Sequence, residues 1–175
     1  VLGMEWAGEI AELGPEAKGV KVGDRVMGSG GAAFAEFAVT DHGRLFHMPA
    51  GMSFEDACTL PVAITTMHNA LVTNGGLQPG QSVLIQGASS GVGLMALQIA
   101  RLKSAKTVIG SSTDAARRAR LKDFGADLAI DSKDAGWVDQ VLKATGGDGV
   151  DLIVDQISGP AANQNLTATT VMGPI

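Results

Sequence analysis

The hydrophobic and polar positions change rhythm once along the chain, near residue 53. Before it, short β-type runs alternate with glycine turns: Trp6 to Leu13, then Gly14-Pro15, then Val20 to Val26 around Gly23-Asp24, then Ala35 to Thr40. Short strands with turn signals about every 8–12 residues predict a compact β-barrel or sandwich piece. From Ser53 the pattern turns helical. Ser53 suits an N-cap, with Glu55 and Asp56 in the first turn, and Pro61 suits the first position of a second helix reaching to about Val72.

A strict alternation follows. Gln81 to Gln86 carries the apolar run Val83-Leu84-Ile85, as expected of a strand buried on both faces of a parallel sheet. After it come helix Gly91 to Leu102, strand Thr107 to Gly110, helix Asp114 to Phe124, strand Leu128 to Asp131, helix Trp137 to Thr145, strand Val150 to Asp155 and helix Pro160 to Thr169. Strand and helix in turn predict an α/β fold, a doubly wound parallel sheet. The expected division is residues 1–75 for the β piece with its linking helices and 76–175 for the doubly wound unit.

The first strand of that unit runs into Gly87-Ala88-Ser89-Ser90-Gly91-Val92-Gly93 and then a helix. Such a string is common by chance; its place between a first strand and its helix gives it a mechanism. Gly87 ends the strand without a side chain, Gly91 lets backbone amides approach a pyrophosphate, and Gly93 lets the helix pack near the sheet. The bland alternative is a tight turn with no ligand, which the surrounding βα units disfavour. In this fold an acid about 20 residues on, at the end of the second strand, binds the ribose 2′-OH of NAD. Here that place reads Gly110-Ser111-Ser112, two hydroxyls and no carboxylate, with Arg117 and Arg118 one turn later. Asp114, the nearest acid, suits the first turn of a helix. The expected cofactor is therefore NADP (NADPH) rather than NAD.

Composition narrows the partners. Of 175 residues, 45% are hydrophobic and 18% charged, which fits an ordinary globular protein, and the net charge of −5 disfavours nucleic acid. No apolar run reaches the roughly 20 residues that a bilayer requires. The single cysteine, Cys58, cannot form an internal disulfide, so a reducing, cytoplasmic location is expected. The chain opens at Val1 in a strand-like pattern and closes on Met172-Gly173-Pro174-Ile175 without a capping element, as a piece of a longer protein would.

Taken in order, these residues resemble the zinc-independent quinone oxidoreductase (zeta-crystallin-like) branch of the medium-chain dehydrogenase/reductase superfamily. Gly3 to Ile10 and Lys21 to Val26 are similar to its GroES-like domain. Leu60-Pro61-Val62-Ala63 with Thr66 resembles the helix leading to the cofactor domain, Val83 to Gly93 its nucleotide loop, and Phe124-Gly125-Ala126-Asp127 a recurrent helix stop. The resemblance implies a Rossmann-type sheet preceded by part of a GroES-like domain. It places Ala88, Ser89, Ser90, Gly91, Val92 and Gly93 at the pyrophosphate, Ser111, Ser112 and Arg117 at the adenosine 2′-phosphate, and Thr66 near the nicotinamide.

The same resemblance implies that no metal is bound. Zinc-dependent relatives carry a histidine where Met4 stands and a cysteine near Val62, and the four-cysteine zinc loop has no counterpart. Ser158 replaces a usual glycine after Asp155, and Ser132 stands where some relatives place a tyrosine. Family chains run to roughly twice this length, the size of two ordinary domains, and a homodimer is implied for the whole protein. Without a Lewis acid the implied substrate is an electrophilic small molecule, a quinone or α,β-unsaturated carbonyl, and no residue presents itself as general acid. Three alternatives share the glycine loop or the scaffold. A short-chain dehydrogenase would require a tyrosine, which the chain lacks. An enoyl reductase module of a fatty-acid or polyketide synthase and a non-catalytic lens-type protein remain open.

Overall fold

The structure, a computed structural model, describes residues 2–159 and 162–175. It divides into two compact units, Val1–Thr65 and Thr66–Ile175, with the boundary inside a helix rather than after Gly75. No helix among the described residues is long and apolar enough to cross a membrane.

The first unit is built on an antiparallel sheet of β1 (Glu5–Glu9), β2 (Arg25–Ser29) and β3 (Leu45–His47), in that order. Pairing of β1 with β2 extends to Ile10, whose amide donates to Asp24 O at 3.0 Å. The run from Val20 is strand only from Arg25 on, because Lys21–Asp24 is a turn closed by Asp24 Oδ2 on Lys21 N at 2.9 Å. The strand expected at Ala35 to Thr40 does not form. Both edges of β2 are taken by β1 and β3, and a strand without a ladder partner leaves its backbone groups unpaired. Instead the chain turns at Ala32 (φ 64°) and runs back beside Leu2 and Gly3.

Ser53 caps α1 (Phe54–Ala57) as expected, its hydroxyl accepting from Asp56 N at 3.0 Å. Helix α2 (Pro61–His68) starts at Pro61, and the Glu5 carboxylate accepts from Val62 N at 2.9 Å. Pro61 has no N–H and Ile64 N donates to Leu60 O, so the carboxylate takes up one of the two donors left open at the helix start, Val62 and Ala63, and stabilises it. The helix then widens into a π segment, Asn69–Asn74, closed by Gly75 N on Ala70 O.

The second unit holds β4 (Ser82–Gln86), α3 (Gly91–Leu102), β5 (Thr107–Ser111), α4 (Ala115–Ala119), β6 (Leu128–Ile130), α5 (Trp137–Ala144), β7 (Leu152–Asp155) and α6 (Ala162–Ala168). The strands are parallel in the order β6-β5-β4-β7, so the chain winds one way from β4 and then crosses to its other side. Alternate side chains of each strand feed two cores. Val83, Ile85, Val108 and Leu152 pack with Leu97 and Leu71 on one face; Leu84, Ile109 and Ile153 pack with Trp137 and Val141 on the other. Burial of each such side chain contributes about 1.5–3 kcal/mol.

The helix expected over Asp114 to Phe124 is broken. Asp114 is its N-cap, α4 ends at Ala119, and a 3-10 turn at Leu121–Phe124 carries Leu121 fully into the core. The expected start of the last helix at Pro160 lies outside the described residues.

Candidate nucleotide-binding site

The glycine loop joins the carboxyl end of β4 to the N-terminus of α3, at the point where strand order reverses between β4 and β7. Doubly wound sheets bind ligands in the crevice there. The geometry at each loop residue sorts those that can meet an anion from those that build the loop. Gly87 sits at φ 70°, and its amide donates to Ser111 Oγ at 3.1 Å. Ala88 is fully buried and its amide donates to Ser111 O at 2.9 Å. Ser90 is the N-cap of α3. Its hydroxyl accepts from Gly93 N at 3.0 Å and donates to Gly87 O at 3.0 Å, and its amide donates to Gly87 O at 3.1 Å.

What remains open is the set of amides at Ser89, Gly91 and Val92, which have no partner among the described residues. Gly91 is exposed, and a Cβ there would meet nothing within 4 Å, so the space above these donors is free. The unpaired N–H groups of Gly91 and Val92 open a twelve-residue helix, and together with that of Ser89 in the loop before it they suit a pyrophosphate in number and charge. Gly93 serves packing: a Cβ there would lie 2.6 Å from Gly87 O and 2.7 Å from Ala88 Cα. Of the residues that the resemblance places at the pyrophosphate, Ala88, Ser90 and Gly93 have their amides bonded within the protein, so they shape the loop rather than offer free donors.

On the adenosine side the Ser111 hydroxyl already has partners within the protein. The residue is 1% exposed, and its hydroxyl donates to Gln86 Oε1 at 2.5 Å while accepting from Gly87 N. Ser112 is 5% exposed; its hydroxyl is hydrogen-bonded to Ser89 Oγ at 2.9 Å, tying the strand end to the open part of the loop. Arg118 is held by Ser112 O at 2.7 Å and by the Asp131 carboxylate at 3.0 Å, so its charge is matched. Arg117 is exposed, and its guanidinium has no hydrogen-bond or ion-pair partner among the described residues. Thr66 is exposed on α2, where the two units divide.

Sequence reasoning missed Gln86, Asp131, Asp155 and Asn165, the polar side chains that organise this end of the sheet. The only hint was a glutamine closing an apolar strand. Ser158 sits at φ 54°, held by its amide on Asp155 Oδ1 at 2.8 Å, which accounts for the glycine usual there. A cleft of about 370 Å³ opens at the opposite end of the sheet, around Lys106, Thr145, Asp148 and Asp151. It lies at the amino ends of the strands, and Asp151 is already bound by Ser82 N and Oγ at 2.7 Å. The site is therefore the glycine loop. Among the described residues no set of His, Cys, Asp and Glu side chains is grouped to hold a metal ion.

Residues 91–175 match the zinc-binding dehydrogenase family and residues 1–50 the alcohol dehydrogenase GroES-like domain. The two matched models together support membership of the medium-chain dehydrogenase/reductase superfamily. The chain is 37% identical over 166 residues to erythronolide synthase EryA2 of Saccharopolyspora erythraea, covering 94% of this chain and 5% of that protein. Among solved structures, the Escherichia coli quinone oxidoreductase complexed with NADPH superposes with a TM-score of 0.85 at 27% identity, over 98% of this chain and 53% of that one. The CurK enoyl reductase superposes with a TM-score of 0.85 at 30% identity, over 96% of this chain and 50% of that one. The chain thus spans a small part of its curated relative and about half the length of these structures.

Proposed function

We propose that this chain carries the dinucleotide site of an NADPH-dependent reductase that delivers hydride to a quinone or an α,β-unsaturated carbonyl without a metal. The observation that carries the reading is the end of β5. It has no carboxylate where a 2′-phosphate would lie, and the free Arg117 guanidinium follows on α4, with open amides at Ser89, Gly91 and Val92 on the neighbouring loop. The likeness to an NADPH-complexed quinone oxidoreductase supports it.

A bound nicotinamide supplies the hydride; the residues supply position. The amides of Ser89, Gly91 and Val92 hold the pyrophosphate, Arg117 pairs with the 2′-phosphate, and Ser112 braces Ser89 from behind. Thr66 is assigned to the nicotinamide side. Met4 and Val62, at the positions of zinc ligands in metal-dependent relatives, support the metal-free assignment, and elemental analysis of the purified protein should find no stoichiometric zinc. No residue here is assigned as proton donor.

A second reading places the chain in the enoyl reductase region of a polyketide synthase. It is favoured by the similarity to erythronolide synthase and to the CurK enoyl reductase. Both readings deliver hydride to a conjugated acceptor and differ in what carries that acceptor. Assaying NADPH oxidation by the intact protein against a free quinone and a 2-enoyl thioester separates them. Turnover of the quinone supports the first and turnover of the thioester alone the second. Binding of NADPH with neither turnover contradicts both.

A further inference from the structure

Beneath the crevice between β4 and β7 lies a chain of polar side chains, buried at Ser111, Gln86 and Asn165 and partly exposed at its Asp155 end. Gly87 N donates to Ser111 Oγ at 3.1 Å, and Ser111 Oγ donates to Gln86 Oε1 at 2.5 Å. Gln86 Nε2 donates to Asn165 Oδ1 at 3.1 Å, and Asn165 Nδ2 donates to Asp155 Oδ2 at 2.9 Å. The other Asp155 oxygen accepts from Ile157 N and Ser158 N, each at 2.8 Å. Gln86, Ser111 and Asn165 are 4%, 1% and 2% exposed.

The direction of this chain is fixed by its one charged member. An ionised carboxylate only accepts, so Asn165 must turn its NH₂ to Asp155 and its carbonyl to Gln86. Gln86 must then offer its NH₂ to Asn165 and its carbonyl to Ser111. The serine hydroxyl therefore donates to Gln86 and keeps a lone pair for the Gly87 amide. Every donor points from the glycine loop toward Asp155, and no member can flip without leaving a buried group unpaired.

The two ends of the chain are the two rims of the crevice. One is Gly87, where the phosphate loop begins. The other is the turn after β7, which also reaches the loop directly: Gln156 Nε2 donates to Gln86 O at 3.3 Å, and Ile157 lies so close that a Cβ on Gly87 would come within 2.7 Å of its Cδ1. We propose that Gln86 and Asn165 are positioning residues of the dinucleotide site, locking the turn Gln156–Gly159 to the phosphate loop so that pyrophosphate bound at the loop amides fixes the far rim as well. The proposal rests on the dinucleotide reading above. It assigns these residues no contact with the ligand. Their effect falls on ligands that span both rims and spares those that occupy only the adenosine side.

The test is NADPH titration of the isotope-labelled chain and of Asn165→Leu, followed through individual backbone amides, beside titration with 2′-phospho-AMP. In the unmodified chain NADPH should shift the amides of Ser89, Gly91 and Val92 and also those of Ile157 and Ser158. In Asn165→Leu the shifts at Ile157 and Ser158 should fall below half while those at the loop persist. NADPH affinity should drop about tenfold, and 2′-phospho-AMP affinity should stay within about twofold. If Asn165→Leu does not fold, Gln86→Met, which breaks the chain at its other positioning residue with little change of volume, is read the same way. Undiminished shifts at Ile157 and Ser158, or an equal loss for both ligands, would overturn the proposal. Absence of any shift at Ser89, Gly91 and Val92 in the unmodified chain would overturn the dinucleotide reading itself, and the proposal with it.

Discussion

The two units of this chain are held together by different means. In the first, Val26, Met27, Ala57 and Ala63 are the buried apolar side chains among the described residues, while Phe34, Phe37 and Val39 are 79%, 78% and 102% exposed. Its shape comes from the ladder of β1, β2 and β3, from turns, and from single polar contacts such as Glu5 on Val62 N. In the second, a four-stranded sheet is covered on both faces, and Leu84, Ile85, Leu97, Ile109 and Ile153 are fully or almost fully buried. A side chain in the second unit therefore has stability at stake, whereas most in the first do not. The candidate nucleotide site stands on the unit with the covered sheet, as suits a site that would hold an anion by backbone amides.

That contrast breaks most visibly in the core. Leu84→Ala should lower the unfolding free energy of the second unit by about 2–5 kcal/mol, read by denaturant unfolding. A loss near zero would mean that the two-faced core is not what holds the unit. Gly93→Ala comes next, since its Cβ would meet backbone rather than a side chain that could yield. Overpacking of this kind costs about 1–3 kcal/mol, and NADPH binding should fall with it. Ser158→Gly should act in the opposite direction, relieving a left-handed residue and raising stability by up to about 1 kcal/mol. Phe37→Ala, the smallest effect, should stay within about 0.5 kcal/mol. A large loss there would show that Phe37 packs into a core of the first unit.

The second unit was legible in the sequence because its burial is two-sided and its caps are local. The run Val83-Leu84-Ile85 predicts a covered strand, and Ser90 followed by Gly91-Val92-Gly93 predicts the start of α3, whose bounds fall at Gly91 and Leu102 as expected. The first unit was less so. The apolar residues of Ala35 to Thr40 read as a strand although both edges of β2 are occupied, and β3 at Leu45–His47 is too short to show an alternation. In the site the loop residues were legible as a set but not in their roles. A serine that bonds a phosphate and a serine that bonds a neighbouring glutamine look alike in sequence, and the bond of Ser111 to Gln86 could not be foreseen. The pair Gln86 and Asn165 is 79 residues apart, and no local pattern announces it.

The central claim is that the end of β5, with Arg117 beyond it, selects a 2′-phosphate. Titrating NADPH and NADH against the unmodified chain and Arg117→Ala tests it most directly. A charged hydrogen bond contributes about 1.5–3 kcal/mol, so the account predicts that NADPH binds the unmodified chain more tightly than NADH. The substitution should weaken NADPH by about one to two decades and leave NADH within about twofold. Equal weakening of both cofactors, or none of either, would contradict it.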